Sequence, residues 1–420
     1  MAGIAVAEGA QIVADPELAD IIVVNTCAFI ESAREESVDV LLDMARIAAS
    51  GKTLVAAGCM AQRYSGSLAD EMSELQYLIG TENIEAFRDV LRGSKQRVHV
   101  GASAGHFLQK SDTPRFTAPG TYSAYIKIAD GCNRTCAFCA IPAIRGRAHS
   151  RSIADIVAEA TRLADAGVVE LNLVAQDTSA YGRDRDDDAS LPNLIRALND
   201  VPRLRWIRLL YLYPDAVGDE LLIAMASLDK VVPYLDIPVQ HASENMLKIM
   251  RRGHRSNALE ILLERIRKQL PDAFVRTTVL VGHPGETKAD FEALLRFVEQ
   301  ARFHHLGAFR YSPEEGTQSL NMPGSVSGKD SYNRFRKIMS VQKKIGRVRN
   351  RAMLGTEIEV LVEGPADEAG YVLVGRHAGQ APEVDGVTYL LSAKAAPGNI
   401  VRAKVVQAGD FDLAAEAVEC

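Results

Sequence analysis

The chain has 420 residues, too many for one hydrophobic core, and its length points to two to four domains. Charged residues make up 24% and hydrophobic residues 47%, a globular profile. No apolar run reaches the roughly 18 residues that would span a bilayer, and a net charge of −6 argues against a general nucleic-acid coat.

Residues 1–100 alternate strand and helix. "ADIIVVNTCAF" and "KTLVAAGCMAQ" are short apolar runs, each followed by a helix-like stretch such as "ESAREESVDVLLDMARIAAS". Such alternation predicts a parallel sheet covered by helices. Residues 101–120, "GASAGHFLQKSDTPRFTAPG", are rich in turn formers and read as a linker. The start, "MAGIAVAEGAQIVADPELAD", has no basic region before its apolar residues and is not a signal peptide, so a cytoplasmic location with reduced cysteines is expected.

From 121 to 350 there are six strand candidates: "YSAYIKIA", "VVELNLVA", "RWIRLLYLY", "VVPYLDIPV", "FVRTTVLVG" and "HLGAFRYS". Helical patterns separate them. Six strand–helix units with right-handed crossovers curl into a partial (βα)6 barrel with its chemistry at the strands' C-terminal ends. Residues 351–418 change character to four short strands, "TEIEVLVEG", "GYVLVGR", "GVTYLL" and "NIVRAKVVQAG", with turn signals between them, which predicts a small β-barrel. The expected class is α/β with this third, all-β domain.

The stretch "DGCNRTCAFCAIPAIRGRAHSR", residues 130–151, carries Cys132, Cys136 and Cys139 in C-x3-C-x2-C spacing. Structural zinc takes four ligands, usually in paired C-x-x-C units, and no fourth stands close by. A 4Fe–4S cluster also takes four thiolates, so three leave one iron open to a cofactor or substrate. A zinc site with a distant ligand is the alternative. With Phe138 before the last cysteine, the run resembles the radical S-adenosylmethionine signature. That resemblance implies a cluster on Cys132, Cys136 and Cys139 whose open iron binds S-adenosylmethionine.

Further motifs narrow the resemblance. "NTC" and "GCMAQR" look like the N-terminal domain of the methylthiotransferases, which implies that Cys27 and Cys59 ligate a second 4Fe–4S cluster. In that family a third cysteine sits in an earlier strand reading like "SLGCPKN". This chain opens downstream of it, so two ligands are expected here, with the third missing. Cys420, on an acidic tail, is a poor substitute. "YLDIPVQHAS", "VRTTVLVGHPGET", "RYSPEEGT" and "APEVDG" resemble the RimO type, whose substrate is a β-carbon of an aspartate in the twelfth protein of the small ribosomal subunit. The related MiaB type acts on adenosine in transfer RNA, and a non-catalytic RNA-binding scaffold with structural metal is the reading from another class.

Charge separates these readings. From Ala352 to Cys420 there are 11 acidic residues against 4 Lys or Arg, a balance of −7. The last domain resembles the TRAM module, which often binds RNA, yet phosphate binding needs a basic face. An acidic barrel favours a basic protein partner. A ribosomal-protein substrate and a flavodoxin- or ferredoxin-like reductant are therefore the expected partners, with nucleic acid not expected as substrate. Gln176 in "LVAQDTS", Arg276, and Gly282 at a strand end are candidate cofactor contacts. His241 is either packed or part of the site. No side chain is singled out as a catalytic acid or base.

Overall fold

Short apolar runs that alternate with helical stretches become parallel strands, as that alternation predicts. The computed structural model describes residues 1–101, 110–253, 255–392 and 395–418. The predicted linker lies partly outside them, as does Cys420. The chain divides into two units. One comprises Met1–Ala118, Asp130–His149 and Ser312–Asn321; the other comprises Pro119–Ala129, Ser150–Tyr311 and Met322–Cys420.

In the first unit, β1 (Ile21–Thr26), β2 (Thr53–Gly58), β3 (Tyr77–Ile79) and β4 (Val98–His99) form a parallel sheet in that order. Alternation sends successive side chains to opposite faces. Ile22, Val24, Leu54, Ala56 and Leu78 pack with Leu41, Ala45 and Ala48 of helix α2 (Glu31–Ala48). Val55, Ala57 and Ile79 face the other way, against Phe87, Val90, and Ile4 and Ala5 of α1 (Ala2–Ala7). The opening residues are thus a short helix seated on the sheet.

In the second unit all six predicted strands are present: β5 (Ser123–Lys127), β6 (Glu170–Val174), β7 (Trp206–Leu209), β8 (Val231–Asp236), β9 (Phe274–Val281) and β10 (His305–Arg310). They pair in parallel and in sequence order, from β5 at one edge to β10 at the other. One core joins Ile126, Leu173, Ile207, Leu209, Leu235 and Val279 to helix residues such as Ile156, Leu194, Leu222 and Leu294. A long helix, Gly328–Ala352, capped at its start by the Ser327 side chain, leads to the last domain.

That domain is a closed barrel of β11 (Glu357–Pro365), β12 (Leu373–His377), β13 (Thr388–Leu390), β14 (Ile400–Ala408) and β15 (Leu413–Ala417). The sequence reading stops at four strands and takes the acidic end for a tail. Leu413, Ala414 and Ala415 are instead buried, and β15 pairs with both β13 and β14 to close the barrel.

Buried charge fastens this barrel to the six-stranded sheet. Glu170, fully buried, accepts hydrogen bonds from Arg208 at 2.9 and 3.0 Å and from Arg376 of β12 at 3.3 Å. Arg376 also donates to Glu363 at 2.8 Å. The Tyr234 hydroxyl donates to Asp385 at 2.6 Å, and the Arg208 guanidinium lies 4.7 Å from the Tyr234 ring centre. Removing Glu170 would take from Arg208 and Arg376, both away from water, their shared counter-charge.

Candidate metal and cofactor site

The chain leaves β5 and enters the three-cysteine loop through Asp130 and Gly131. Gly131 has φ +79°, and a Cβ there would sit 2.1 Å from the Arg147 carbonyl, so only glycine lets the two ends of the loop pass this closely. The Cys132 N–H donates to the Gly146 carbonyl at 3.1 Å and closes the loop. Ala148 N–H donates to Asn133 Oδ1 at 3.1 Å. Within the loop the Arg134 N–H points at Cys132 Sγ, 3.4 Å away, and Cys139 N–H donates to Cys136 O at 3.1 Å. Cys132 is buried, and Cys136 and Cys139 are half-buried.

This donor set fits an iron–sulfur cluster. It offers three soft sulfur donors on one short loop, with a backbone N–H aimed at one of the sulfurs, the kind of contact that tunes such clusters. A cluster takes each thiolate on a different iron. Among the described residues no three His, Cys, Asp or Glu converge closely enough to hold a single ion.

Cys27 and Cys59 follow β1 and β2. The register pairs Thr26 with Gly58, so each cysteine lies one residue past the level ends of adjacent strands. Gly58 has φ +104°, and a Cβ there would lie 2.7 Å from the Thr26 carbonyl, which lets the two loops crowd together. Cys27 is exposed and its N–H donates to Ser37 Oγ at 3.0 Å. Cys59 is half-buried and opens α3 (Cys59–Arg63). All five of these cysteines belong to the first unit.

Two residues that the sequence reading did not single out tie these loops together. Glu314, in the "SPEEG" segment, is buried and pairs with Arg34 of α2 and, at 3.0 Å, with Arg63 of α3. Arg63 also donates to the Ala28 carbonyl, next to Cys27, at 2.9 Å. The same segment reaches the three-cysteine loop, where Ser319 N–H donates to Ala137 O at 2.9 Å. Arg145, on α4 (Ile141–Arg145), donates to Asp130 and to Cys59 Sγ. The motif containing Glu314 was visible in the sequence, but its partners lie about 250 to 280 residues away.

In the second unit the three cofactor candidates diverge. Gln176 lies two residues past the C-terminal end of β6, and its buried Oε1 has no hydrogen-bond partner among the described residues. Such an acceptor is costly unless a bound group donates to it. Arg276 sits near the start of β9, with Nη1 3.2 Å from Asp236 and Nε 3.4 Å from Asp385 of the last domain. Arg276 therefore lies at the seam between sheet and barrel, near the end of β9 opposite the one expected to carry chemistry.

Gly282 follows β9 with φ +78°. A Cβ there would meet Ser331 Oγ at 2.3 Å, so the close approach that requires glycine is to a protein helix. Its N–H donates to Glu286. His241 is fully buried; its Nδ1 accepts from the N–H groups of Ala242 and Ser243, leaving Nε2 to donate to Glu286 at 3.3 Å. Arg334 completes that cluster, 2.7 Å from Glu286. His241 is packed and satisfied.

Comparison with known proteins agrees along the whole chain. The Radical SAM superfamily model matches residues 126–298, the TRAM domain model residues 354–418, and the model described as Uncharacterized protein family UPF0004 residues 1–80. The ribosomal protein uS12 methylthiotransferase RimO of Sorangium cellulosum is 46% identical over 100% of this chain and 87% of its own length. The RimO proteins of Myxococcus xanthus and Trichlorobacter lovleyi are 46% and 44% identical, over 98% and 100% of this chain and 86% and 94% of their own. Among solved structures, the radical S-adenosylmethionine methyltransferase TsrM from Kitasatospora setae matches with a TM-score of 0.53 at 15% identity, covering 71% of this chain and 66% of that one, a likeness of fold. The chain belongs to the RimO family of ribosomal protein uS12 methylthiotransferases, built from a UPF0004 region, a radical S-adenosylmethionine domain and a TRAM domain.

Proposed function

We infer that this protein transfers a methylthio group to the β-carbon of an aspartate in ribosomal protein uS12. The observation that carries the reading is the three-thiol loop placed directly after the first strand of a six-stranded parallel sheet, in a chain 46% identical to a RimO protein. Its domains are taken as 1–100, 121–350 and 351–418, and it works in the cytoplasm.

An unactivated carbon–hydrogen bond resists acid–base chemistry, and S-adenosylmethionine on a reduced 4Fe–4S cluster supplies the carbon radical that breaks it. Cys132, Cys136 and Cys139 hold that cluster and leave one iron to the cofactor. Gln176 would accept a hydrogen bond from bound S-adenosylmethionine through its buried Oε1, which has no partner among the described residues. Gly282 shapes the neighbouring strand end through its packing on Ser331. Cys27 and Cys59 contribute thiolates to the second, sulfur-handling cluster, and Glu314 holds their two loops through Arg34 and Arg63. A flavodoxin- or ferredoxin-like protein delivers electrons.

The acidic last domain selects the substrate by charge, with Glu357, Glu359 and Glu383 exposed on it. The test is anaerobic turnover of the reconstituted protein with S-adenosylmethionine, a reductant and either uS12 or transfer RNA. A methylthio mass gain on one aspartate of uS12 is expected. Modification of transfer RNA alone would assign the MiaB-type activity instead.

A further inference from the structure

Arg145 is the last residue of α4, the short helix that follows Cys139. Its side chain is mostly buried, and its donors are divided between two partners. Nη1 donates to both carboxylate oxygens of Asp130, at 3.0 and 3.1 Å, two residues before Cys132. Nη2 donates to Cys59 Sγ at 3.4 Å, across 86 residues of sequence. One guanidinium therefore spans the root of the radical loop and a sulfur of the other thiol site.

The chemistry of this contact is specific to arginine. A planar guanidinium can bind a carboxylate on one side while directing a separate N–H elsewhere, whereas an ammonium is a single point donor. Asp130 fixes the plane and leaves the positive, donating end turned toward Cys59. An N–H donor with positive charge on a ligand sulfur offsets the electron density that reduction adds, so it raises a cluster's reduction potential.

We propose that Arg145 is a positioning residue of the sulfur-handling centre, fixing Cys59 Sγ against the radical loop and raising that centre's reduction potential. The proposal rests on the reading of Cys59 as a ligand of that centre. A purely structural role, an ion pair with Asp130, would leave the potential where it is.

The test uses the full chain with both clusters reconstituted anaerobically, and titrates each centre potentiometrically with EPR detection. Arg145→Met should make reduction of the second centre about tenfold less favourable, close to 59 mV for a one-electron couple, and leave the radical centre unchanged. Arg145→Lys should recover part of the shift. In the parent labelled with [15N]arginine, pulsed EPR of the reduced second centre should show a weak nitrogen coupling that Arg145→Lys abolishes. An unshifted potential in Arg145→Met, or no coupling in the labelled parent, overturns the proposal. Should Arg145→Met fail to assemble the second centre, the parent's nitrogen coupling decides. Cys59→Ala separates the two levels: loss of the second centre's iron upholds the reading of Cys59, and full retention overturns that reading independently of Arg145.

Discussion

The three-cysteine loop and the charged seam beneath the last domain are built in opposite ways. The loop closes on itself through near neighbours: one glycine that no other residue replaces, the Cys132–Gly146 hydrogen bond, and an N–H on a sulfur. All its essential residues lie within about 16 positions. The seam joins Glu170, Arg208 and Arg376, fully buried and up to 206 residues apart. Chemistry here is written locally and assembly at long range, so each region breaks in its own way.

The sharpest break is Cys136→Ala. Two remaining thiolates cannot hold the radical cluster in working geometry, so 5′-deoxyadenosine formation should fall to background in the anaerobic assay. Urea unfolding of the cluster-free variant should match the cluster-free parent within about 1 kcal/mol, since a half-buried loop cysteine contributes little packing. Normal cofactor cleavage by the variant would remove the assignment of the loop.

Glu170→Gln should do the reverse. It leaves the Arg208 and Arg376 guanidiniums buried without their shared counter-charge, at a cost of about 3–5 kcal/mol in urea unfolding, with radical-cluster iron retained in the folded fraction. Acid gives a second view. Burial alone would raise the Glu170 pKa, but Arg208 and Arg376 outweigh it and hold the group at about 2, against an ordinary 4.5. Its stabilisation, about 3 kcal/mol, is complete above pH 4.5 and is lost as pH falls from 4.5 towards 2.

Burial, with Arg349 beside one and His305 beside the other, lowers His304 and His377 from 6.5 to about 3. These neutral imidazoles stabilise the fold fully above pH 6.5 and lose that contribution from 6.5 down to 3. Glu170→Gln should therefore flatten the stability profile only below pH 4.5. An unchanged slope in that window would show that the seam is not held by Glu170.

The contrast also explains what could be read from sequence. Short apolar runs separated by helical patterns predict each strand of the six-stranded sheet, because a parallel sheet covered by helices buries most of its strand residues. The fifth strand of the last barrel escaped, since "LAAEA" buries through small residues among acids. Cysteine spacing singles out the candidate metal loop, because the ligand geometry it would serve is local. The place of Arg276 in the seam is not legible, because a lone arginine on a strand does not show which partners its side chain meets. Arg145 and Glu314 carry no local signal, because their partners come from other elements.

A smaller effect sharpens the cofactor side of the comparison. Gln176→Ala removes one buried acceptor that has no partner among the described residues and that we assign to the bound cofactor. It should raise the KM for S-adenosylmethionine about tenfold, the worth of one hydrogen bond near 1.4 kcal/mol, and leave cluster iron and urea stability at parent values. Equal KM values would return Gln176 to the barrel wall.

The smallest effect concerns charge that is neither local nor buried. Glu357, Glu359 and Glu383 are exposed, and their protein partners hold them weakly: Glu357 pairs with the exposed Arg402, and Glu359 lies 4.0 Å from Arg205. Reversing all three to Lys should change stability little, because exposed pairs contribute under about 1 kcal/mol each. Their reach is outward, towards a basic partner, and solvent ions screen it over roughly 8 Å at physiological salt and roughly 3 Å at 1 M. The triple variant should therefore bind uS12 a few-fold more weakly than the parent at low salt, with the two affinities converging as salt rises. Association should slow more than dissociation quickens, since charges at a rim steer the encounter. A loss of affinity that persists at 1 M salt would mean that these side chains make close contacts with the substrate, and steering by the field of the barrel would then be the wrong account of this surface.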